Sequence, residues 1–290
     1  MGCGEISGSG LRPCPCGPAC EATLTGMILT SPSNWMLALS LVAMLAYALP
    51  ALWPGLARQQ AKRLLWLGWL AHGLSILGLM GGAARFGFAP AMSVTAWLVL
   101  TAYVVESQFF PQLRGRWALG LLGALAVLLA LMFPGAHLHM QASAWLPLHW
   151  ALGLAAYGMF AAAVIHGAML TRTETAIRLA GEGGSGLPLL TLERLMFRFV
   201  VAGFVLLTAT LLAGWLFGEQ LYGNAAWRWD HKKIFALLSW LVFALLLWGR
   251  QRWGWRGRRA VRVLYIGAGL LLLSYAGSRF VLEVLLGRAT

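Results

Sequence analysis

Long apolar segments follow one another along almost the whole chain, separated by short polar links. A helix that crosses a bilayer needs about 20 mostly apolar residues, and eight segments reach or approach that length. Backbone inside lipid must satisfy its own hydrogen bonds, and the alternating pattern of a barrel strand is absent, so these segments are predicted to be helices. The eight predicted spans are Trp35–Trp53, Leu64–Ala84, Ala91–Phe110, Trp117–Phe133, Leu148–Leu170, Phe199–Phe217, Ile234–Trp248 and Val263–Leu286.

Composition supports the same fold class. Hydrophobic residues make up 60% of the 290 residues and charged residues 11%, which excludes an ordinary soluble domain. The net charge of +13 would suit a nucleic-acid-binding protein, but the basic residues lie in the short links, as orientation in a bilayer requires. We therefore predict an all-α polytopic membrane protein, a bundle of eight transmembrane helices in a lipid bilayer, with no nucleic-acid partner.

The distribution of basic residues predicts the orientation of the bundle. Links on one side of the membrane contain 15 of the 22 lysines and arginines, and the other side has six. The richer side is expected to face the cytoplasm. Both termini and the link between the sixth and seventh spans are then expected to lie outside the cytoplasm.

The first residues differ from the rest of the chain. All four cysteines lie among the first twenty residues, within a segment rich in Gly, Pro and Ser. Their spacing fits no zinc or haem-attachment pattern, and the segment lacks the apolar core of a signal peptide. We interpret residues 1–33 as a disordered or wrongly assigned extension, with a start at Met27 as one alternative, and residues 34–290 as the eight-helix domain.

Aromatic and charged side chains are concentrated in the segment Trp227–Lys233, which reads W-R-W-D-H-K-K. Two rings spaced i, i+2 lie on one side of an extended segment. Flat aromatic surface beside a histidine suits a planar ligand such as haem. The alternative is a simple interfacial belt, because Trp and Lys are common where a membrane meets water. Asp230 is expected to cap the start of the seventh helix.

Three histidines lie within predicted helices. His72 is about eight residues into the second helix, roughly 12 Å from its cytoplasmic end. An ionisable residue at this depth in a membrane is either functional or, in the case of histidine, neutral and hydrogen-bonded to another helix. His149 opens the fifth helix at its outer end. His166 follows about 26 Å along the axis, so it cannot share one iron with His149. By depth His166 matches His72 better, and that pairing stays open.

Other polar residues have weaker claims to a functional role. His137 lies in a predicted solvated turn, and Glu106 lies one turn from a helix end, where it is expected to reach water. Arg279 and Glu283 are spaced to pair with each other. The sequence contains no nucleophile-elbow motif, no H-E-x-x-H and no phosphate-binding loop. An enzyme is therefore not expected.

Three stretches resemble the haem-handling cytochrome c assembly family, and most of all its HemX/YpjD-type inner membrane proteins. Leu148–Tyr157 is similar to the family helix that begins with an external haem-ligating histidine. Trp227–Lys232 is similar to the core of its Trp-rich "WWD" loop. Trp248–Arg259, together with Tyr275–Phe280, resembles the HemX/YpjD-type C-terminal signature. The resemblance extends over about Trp35 to Leu286.

The resemblance implies a multi-pass protein of the bacterial inner membrane, with both termini periplasmic. It implies a haem chaperone that delivers haem b to the outer face during cytochrome c assembly, with apocytochrome c or other maturation proteins as partners. The predicted haem-binding residues are His149, His72, Trp227, Trp229 and Asp230. The two histidines are the predicted iron ligands, and the two tryptophans would cover the macrocycle.

The sequence also departs from the family pattern. Larger members carry a second external histidine after the Trp-rich loop, whereas no histidine follows His231 here. A haem would need another second ligand, for which His72 is the candidate, although its predicted depth differs from that of His149 by more than about 10 Å. Two alternatives remain: a permease subunit that works with a separate ATPase, and a membrane protein that modulates haem biosynthesis.

Overall fold

The computed structural model describes residues 34–53, 55–81, 85–110, 116–137, 145–179, 187–218 and 231–277. Within these ranges it contains eight long helices and one short strand pair. The strands are β1 (Arg85–Phe86) and β2 (Ala136–His137). The helices are α1 (Asn34–Leu52), α2 (Arg58–Gly81), α3 (Phe88–Phe109), α4 (Arg116–Met132), α5 (Trp145–Arg178), α6 (Leu189–Leu216), α7 (His231–Trp253) and α8 (Gly257–Leu272), the last continued by a π-helical turn, Leu273–Gly277.

Each predicted apolar segment overlaps one of these helices, so the all-α prediction is confirmed. Five helices, α1, α3, α5, α6 and α7, are long and apolar enough to cross a membrane, and the apolar part of α4 is shorter. The chain is thus a polytopic membrane protein, while eight complete crossings remain a prediction. The predicted N-terminal extension, residues 1–33, and the Arg279–Glu283 pair lie outside the described residues.

Several helices are longer than the apolar runs that predict them, as α2 and α5 show. α2 begins at Arg58 and so includes the basic residues Lys62 and Arg63. α5 continues past Leu170 as far as Arg178. A helix does not have to end where the hydrocarbon ends, because long basic side chains reach polar surroundings from their apolar stems. The polar turns therefore extend the helices beyond the apolar core.

The packing forms two neighbouring clusters of buried side chains. One cluster, around Tyr47 and Leu100, is formed by side chains of α1, α2, α3 and α4. The other is formed by side chains of α5, α6, α7 and α8, and in it the rings of Phe160 and Phe243 stack with their centroids 3.7 Å apart. Gly203 of α6 leaves room for the Phe160 ring, since a Cβ at this position would come within 3.0 Å of it. α3 packs against α2, α4 and α5 and so connects the two clusters.

Contacts at the two ends of the bundle show that successive helices run in alternating directions. At one end, Arg250 of α7 pairs with Glu193 of α6 at 2.7 Å, and Arg258 of α8 pairs with Glu174 of α5 at 3.3 Å. At the opposite end β1 pairs with β2, which joins the α2–α3 link to the α4–α5 link. The arginine-rich end is the one predicted to face the cytoplasm. We call it the basic end and the opposite one the outer end.

Candidate functional site

α3 and α5 lie side by side in the same direction, which allows depths in the bundle to be compared. A Cβ at Gly158 of α5 would come within 2.7 Å of the Leu98 Cβ of α3. Nearer the basic end, Nε2 of His166 is 3.0 Å from Oε2 of Glu106. The two pairs have the same sequence separation, so the two helices keep one register along this length. The same register places His149 at the level of Ala89, close to the outer end.

The pair formed by His166 and Glu106 is buried between α3 and α5. His166 is 4% exposed and Glu106 7%, and Nδ1 of His166 lies 2.8 Å from the carbonyl oxygen of Ala162. The pair borders a small cavity, also lined by Tyr103 and Ile165, with room for about one water molecule. The expectation that Glu106 reaches water is therefore wrong, because α5 covers that face of α3.

His72 is enclosed on the other side of α3. Its side chain is 1% exposed, its Nε2 hydrogen-bonds with Oγ of Ser93 at 2.8 Å, and its ring meets the Tyr47 ring edge-on with centroids 5.8 Å apart. Ser93 lies about 8 Å along α3 from its first residue, Phe88, which is at the outer end. His72, which contacts Ser93, is therefore closer to the outer end than the sequence predicts.

His72 and His166 lie at different depths in the bundle. Their partners on α3, Ser93 and Glu106, are about 20 Å apart along the helix axis. The open alternative, an iron shared by His72 and His166, is therefore not supported by the geometry. By the α3–α5 register, Ser93 is only about 6 Å deeper than the level of His149. The difference in depth between His72 and His149 is thus smaller than the sequence indicates.

His149 lies in the first turns of α5 and packs against α6. A Cβ at Gly214 would come within 3.3 Å of Cε1 of His149, and the ring hydrogen-bonds with the backbone of Thr210. Glycine thus leaves space beside the imidazole, while the backbone of α6 orients it. Because His72 packs against Ser93 of α3, the described contacts do not bring the two candidate ligands together.

The tryptophans of the Trp-rich segment, Trp227 and Trp229, lie outside the described residues, and so does Asp230. The last three residues of the segment, 231–233, are described and form the start of α7, and α6 ends at Leu216, two residues after Gly214. The segment is therefore attached to the bundle at the end where His149 lies.

The imidazole nitrogens of the candidate histidines are suitable ligands for a haem iron. Nδ1 of His72 is buried and has no hydrogen-bond partner among the described residues, while Ser93 holds its Nε2. Metal-ligating histidines have this pattern, one nitrogen bonded to the protein and the other left for the metal. The described residues contain no group of three or more His, Cys, Asp or Glu that could hold a metal ion. Imidazole ligation of a haem iron needs no such group.

Comparisons with known proteins agree with the resemblance seen in the sequence. Residues 33–286 match the family model described as Cytochrome C assembly protein. Inner membrane protein YpjD of Escherichia coli strain K12 is 31% identical over 179 residues, which are 59% of this chain and 66% of YpjD. Cytochrome c biogenesis protein CcsA of Synechococcus elongatus is 38% identical over 87 residues, 30% of this chain and 26% of CcsA. Each match covers less than two thirds of the relative, and no solved structure matches.

Proposed function

The chain belongs to the cytochrome c assembly protein family, and on that premise we propose that it binds haem at the outer face of the bacterial inner membrane and delivers it during cytochrome c assembly. The names of two relatives, an inner membrane protein and a cytochrome c biogenesis protein, support this proposal. The chain would act as a carrier of haem rather than as a catalyst. The family match favours this role over that of a transporter permease.

The position of His149 carries the proposal. An axial ligand must be held in a fixed orientation, and α6 holds this ring through the backbone of Thr210 while Gly214 leaves space beside it. The Trp-rich segment begins at Trp227, 13 residues after Gly214, and leads into α7 at the end of the bundle where His149 lies. Trp227 and Trp229 would therefore meet a haem bound at His149 and cover its apolar face.

We propose His72 as the second ligand, of a haem b that is not covalently attached. Its buried Nδ1 without a partner supports this role, as does its level, about 6 Å from that of His149. Ser93 would hold the other ring nitrogen. Haem binding would have to move α2 relative to α3, or turn the imidazole away from Tyr47, before both histidines could reach one iron. In this role haem is the cargo, and the protein holds it in a defined orientation.

The membrane orientation is part of the proposal. The basic end would face the cytoplasm, with both termini and the Trp-rich segment in the periplasm. This places His149 where apocytochrome c, or another maturation protein, can receive haem. The opposite orientation would place the same residue in the cytoplasm, away from those partners.

Purification of the full chain in detergent tests the function directly. The proposal predicts a Soret band and the pyridine haemochrome spectrum of haem b, at less than one haem per chain because a carrier releases its cargo. A chain that stays colourless after expression with added haem, and binds no haem in titration, would contradict the proposal. Copurification of an ATPase with colourless protein would instead support the permease alternative.

A further inference from the structure

The link between α7 and α8 is a tightly fixed turn. Gly254 and Gly257 have φ angles of 63° and 53°, a left-handed conformation that other residues rarely adopt. The Trp255 amide donates a hydrogen bond to the carbonyl oxygen of Gly249 at 3.2 Å. A Cβ at Gly249 would come within 2.5 Å of the Trp255 ring. The ring therefore lies directly on the backbone of α7, in a position fixed by the turn.

Three tryptophans form a continuous aromatic surface beside this turn. The centroids of Trp248 and Trp253 are 5.1 Å apart, and those of Trp253 and Trp255 are 5.5 Å apart. Trp248 and Trp253 are more than half exposed. Trp253 and Trp255 line a surface groove with Leu245 of α7 and Arg259 of α8. One wall of the groove is thus apolar, and its polar side is a single arginine.

Arg259 is held in place by the aromatic surface. Its guanidinium carbon lies 4.6 Å from the centroid of the Trp255 ring. A cation over an aromatic face is attracted by the ring and keeps its N–H groups free at the edges of the guanidinium plane. The donors of Arg259 are therefore directed beside the groove without being used by the ring.

The carboxylates near this end pair with other arginines. Glu174 contacts Arg258 at 3.3 Å, and Glu193 contacts Arg250 at 2.7 Å. Among the described residues Arg259 forms no ion pair with a carboxylate. The charged guanidinium of Arg259 therefore lies beside an exposed apolar groove with its N–H groups available to an anion.

We propose that the groove formed by Leu245, Trp253, Trp255 and Arg259 binds an anionic phospholipid from the leaflet at the basic end. The phosphate would accept hydrogen bonds from Arg259, and an acyl chain would lie along Leu245 and Trp253. A soluble anion would use only the arginine, and an uncharged lipid would use only the apolar wall. Basic sites at the cytoplasmic ends of membrane helices select anionic headgroups for this reason. This site is independent of the haem site at the outer end.

Native mass spectrometry of the detergent-purified full chain tests this site. Titrations with dioleoyl phosphatidylglycerol and dioleoyl phosphatidylcholine compare an anionic with a zwitterionic headgroup on identical chains, and inorganic phosphate serves as a competitor. We expect tighter binding of phosphatidylglycerol. Arg259→Gln is expected to weaken that binding about fivefold, while Arg259→Lys should retain most of it.

The matched control is Arg63→Gln, which removes one exposed positive charge from α2 in the other half of the bundle. It should bind phosphatidylglycerol as the wild type does. Equal affinity of wild type and Arg259→Gln would overturn the proposal, as would an equal loss in Arg63→Gln. Displacement of the lipid by inorganic phosphate, or equal affinity for the two lipids, would also overturn it.

Discussion

Nε2 of His166 lies 3.0 Å from Oε2 of Glu106 and so connects α5 to α3 inside the bundle. The contact fixes the register between the two helices, and with it the level of His149 at the outer end. It also gives His166 a structural partner near the basic end. We therefore interpret this pair as a stabilising contact between helices and not as part of the haem site.

Replacement of Glu106 tests the structural role of the pair. Glu106→Ala removes the carboxylate that lies 3.0 Å from the buried Nε2 of His166, and loss of such a buried polar contact costs about 1–3 kcal/mol. Glu106→Gln keeps a polar partner and should cost less. Thermal unfolding of the detergent-purified variants measures both, and haem occupancy should not fall selectively in either. An Ala variant as stable as the wild type would show that the contact contributes nothing.

A pair of glycine substitutions tests the packing of the N-terminal half. A Cβ at Gly120 of α4 would lie 2.7 Å from the carbonyl oxygen of Tyr47 in α1, whereas a Cβ at Gly269 of α8 meets nothing within 4 Å. Backbone cannot move aside as a side chain can, so Gly120→Ala should destabilise the protein by about 1–3 kcal/mol. Gly269→Ala should be neutral or slightly stabilising, since alanine favours a helix. Equal melting temperatures for the two variants would contradict this packing of α1 and α4.

The sequence predicts the helices well because the signal for each is local. A run of apolar residues contains the length and composition of the helix it forms, and each run overlaps one described helix. The ends are less predictable. The apolar run that contains His72 starts at Leu64, but α2 starts at Arg58, because polar side chains at the membrane boundary do not interrupt a helix. The depth of His72 follows instead from its contact with Ser93 near the outer end of α3.

Contacts between helices are not local, and the sequence predicts them poorly. Glu106 looks accessible from its distance to the helix end, yet it is buried because α5 covers that face. Its pairing with His166 depends on which faces of α3 and α5 meet, which neither segment specifies alone. The hydrogen bond between His72 and Ser93 is of the same kind. The histidines can be named from the sequence, whereas their partners need the packed bundle.

Reporter fusions test the orientation of the bundle. Alkaline phosphatase folds into an active enzyme only outside the cytoplasm, so a fusion after Pro134 should be active and a fusion after Arg256 inactive. The reason is the excess of basic residues at the basic end. Activity in membranes, normalised to fusion abundance, is the measurement. The reverse pattern would overturn the orientation together with the outer haem site.

Substitutions in the Trp-rich segment test whether its rings contact haem. Loss of both rings, in Trp227→Ala/Trp229→Ala, should weaken haem affinity by roughly ten- to a few-hundred-fold, by analogy with stacking on aromatic rings. The protein should still insert normally. Haem titration and membrane abundance are measured together. Full haem occupancy in the double variant would reduce the two rings to an interfacial belt.

Asp230→Ala provides the comparison within the same segment. Asp230 is expected to cap the start of α7, where a carboxylate favours the positive end of the helix dipole. Its loss should lower the yield of folded protein, while the protein that folds keeps its haem. A selective loss of haem at normal yield would show that Asp230 contributes to the haem site itself.

The haem-to-protein ratio of single histidine variants tests the central claim most directly. His149→Ala should lose most of its haem and His72→Ala much of it, because both are proposed iron ligands. His137→Ala and His166→Ala serve as matched controls and should keep their haem, with membrane abundance measured for every variant. If His166→Ala loses the haem and His149→Ala keeps it, the site lies near the basic end and the proposed outer site is wrong.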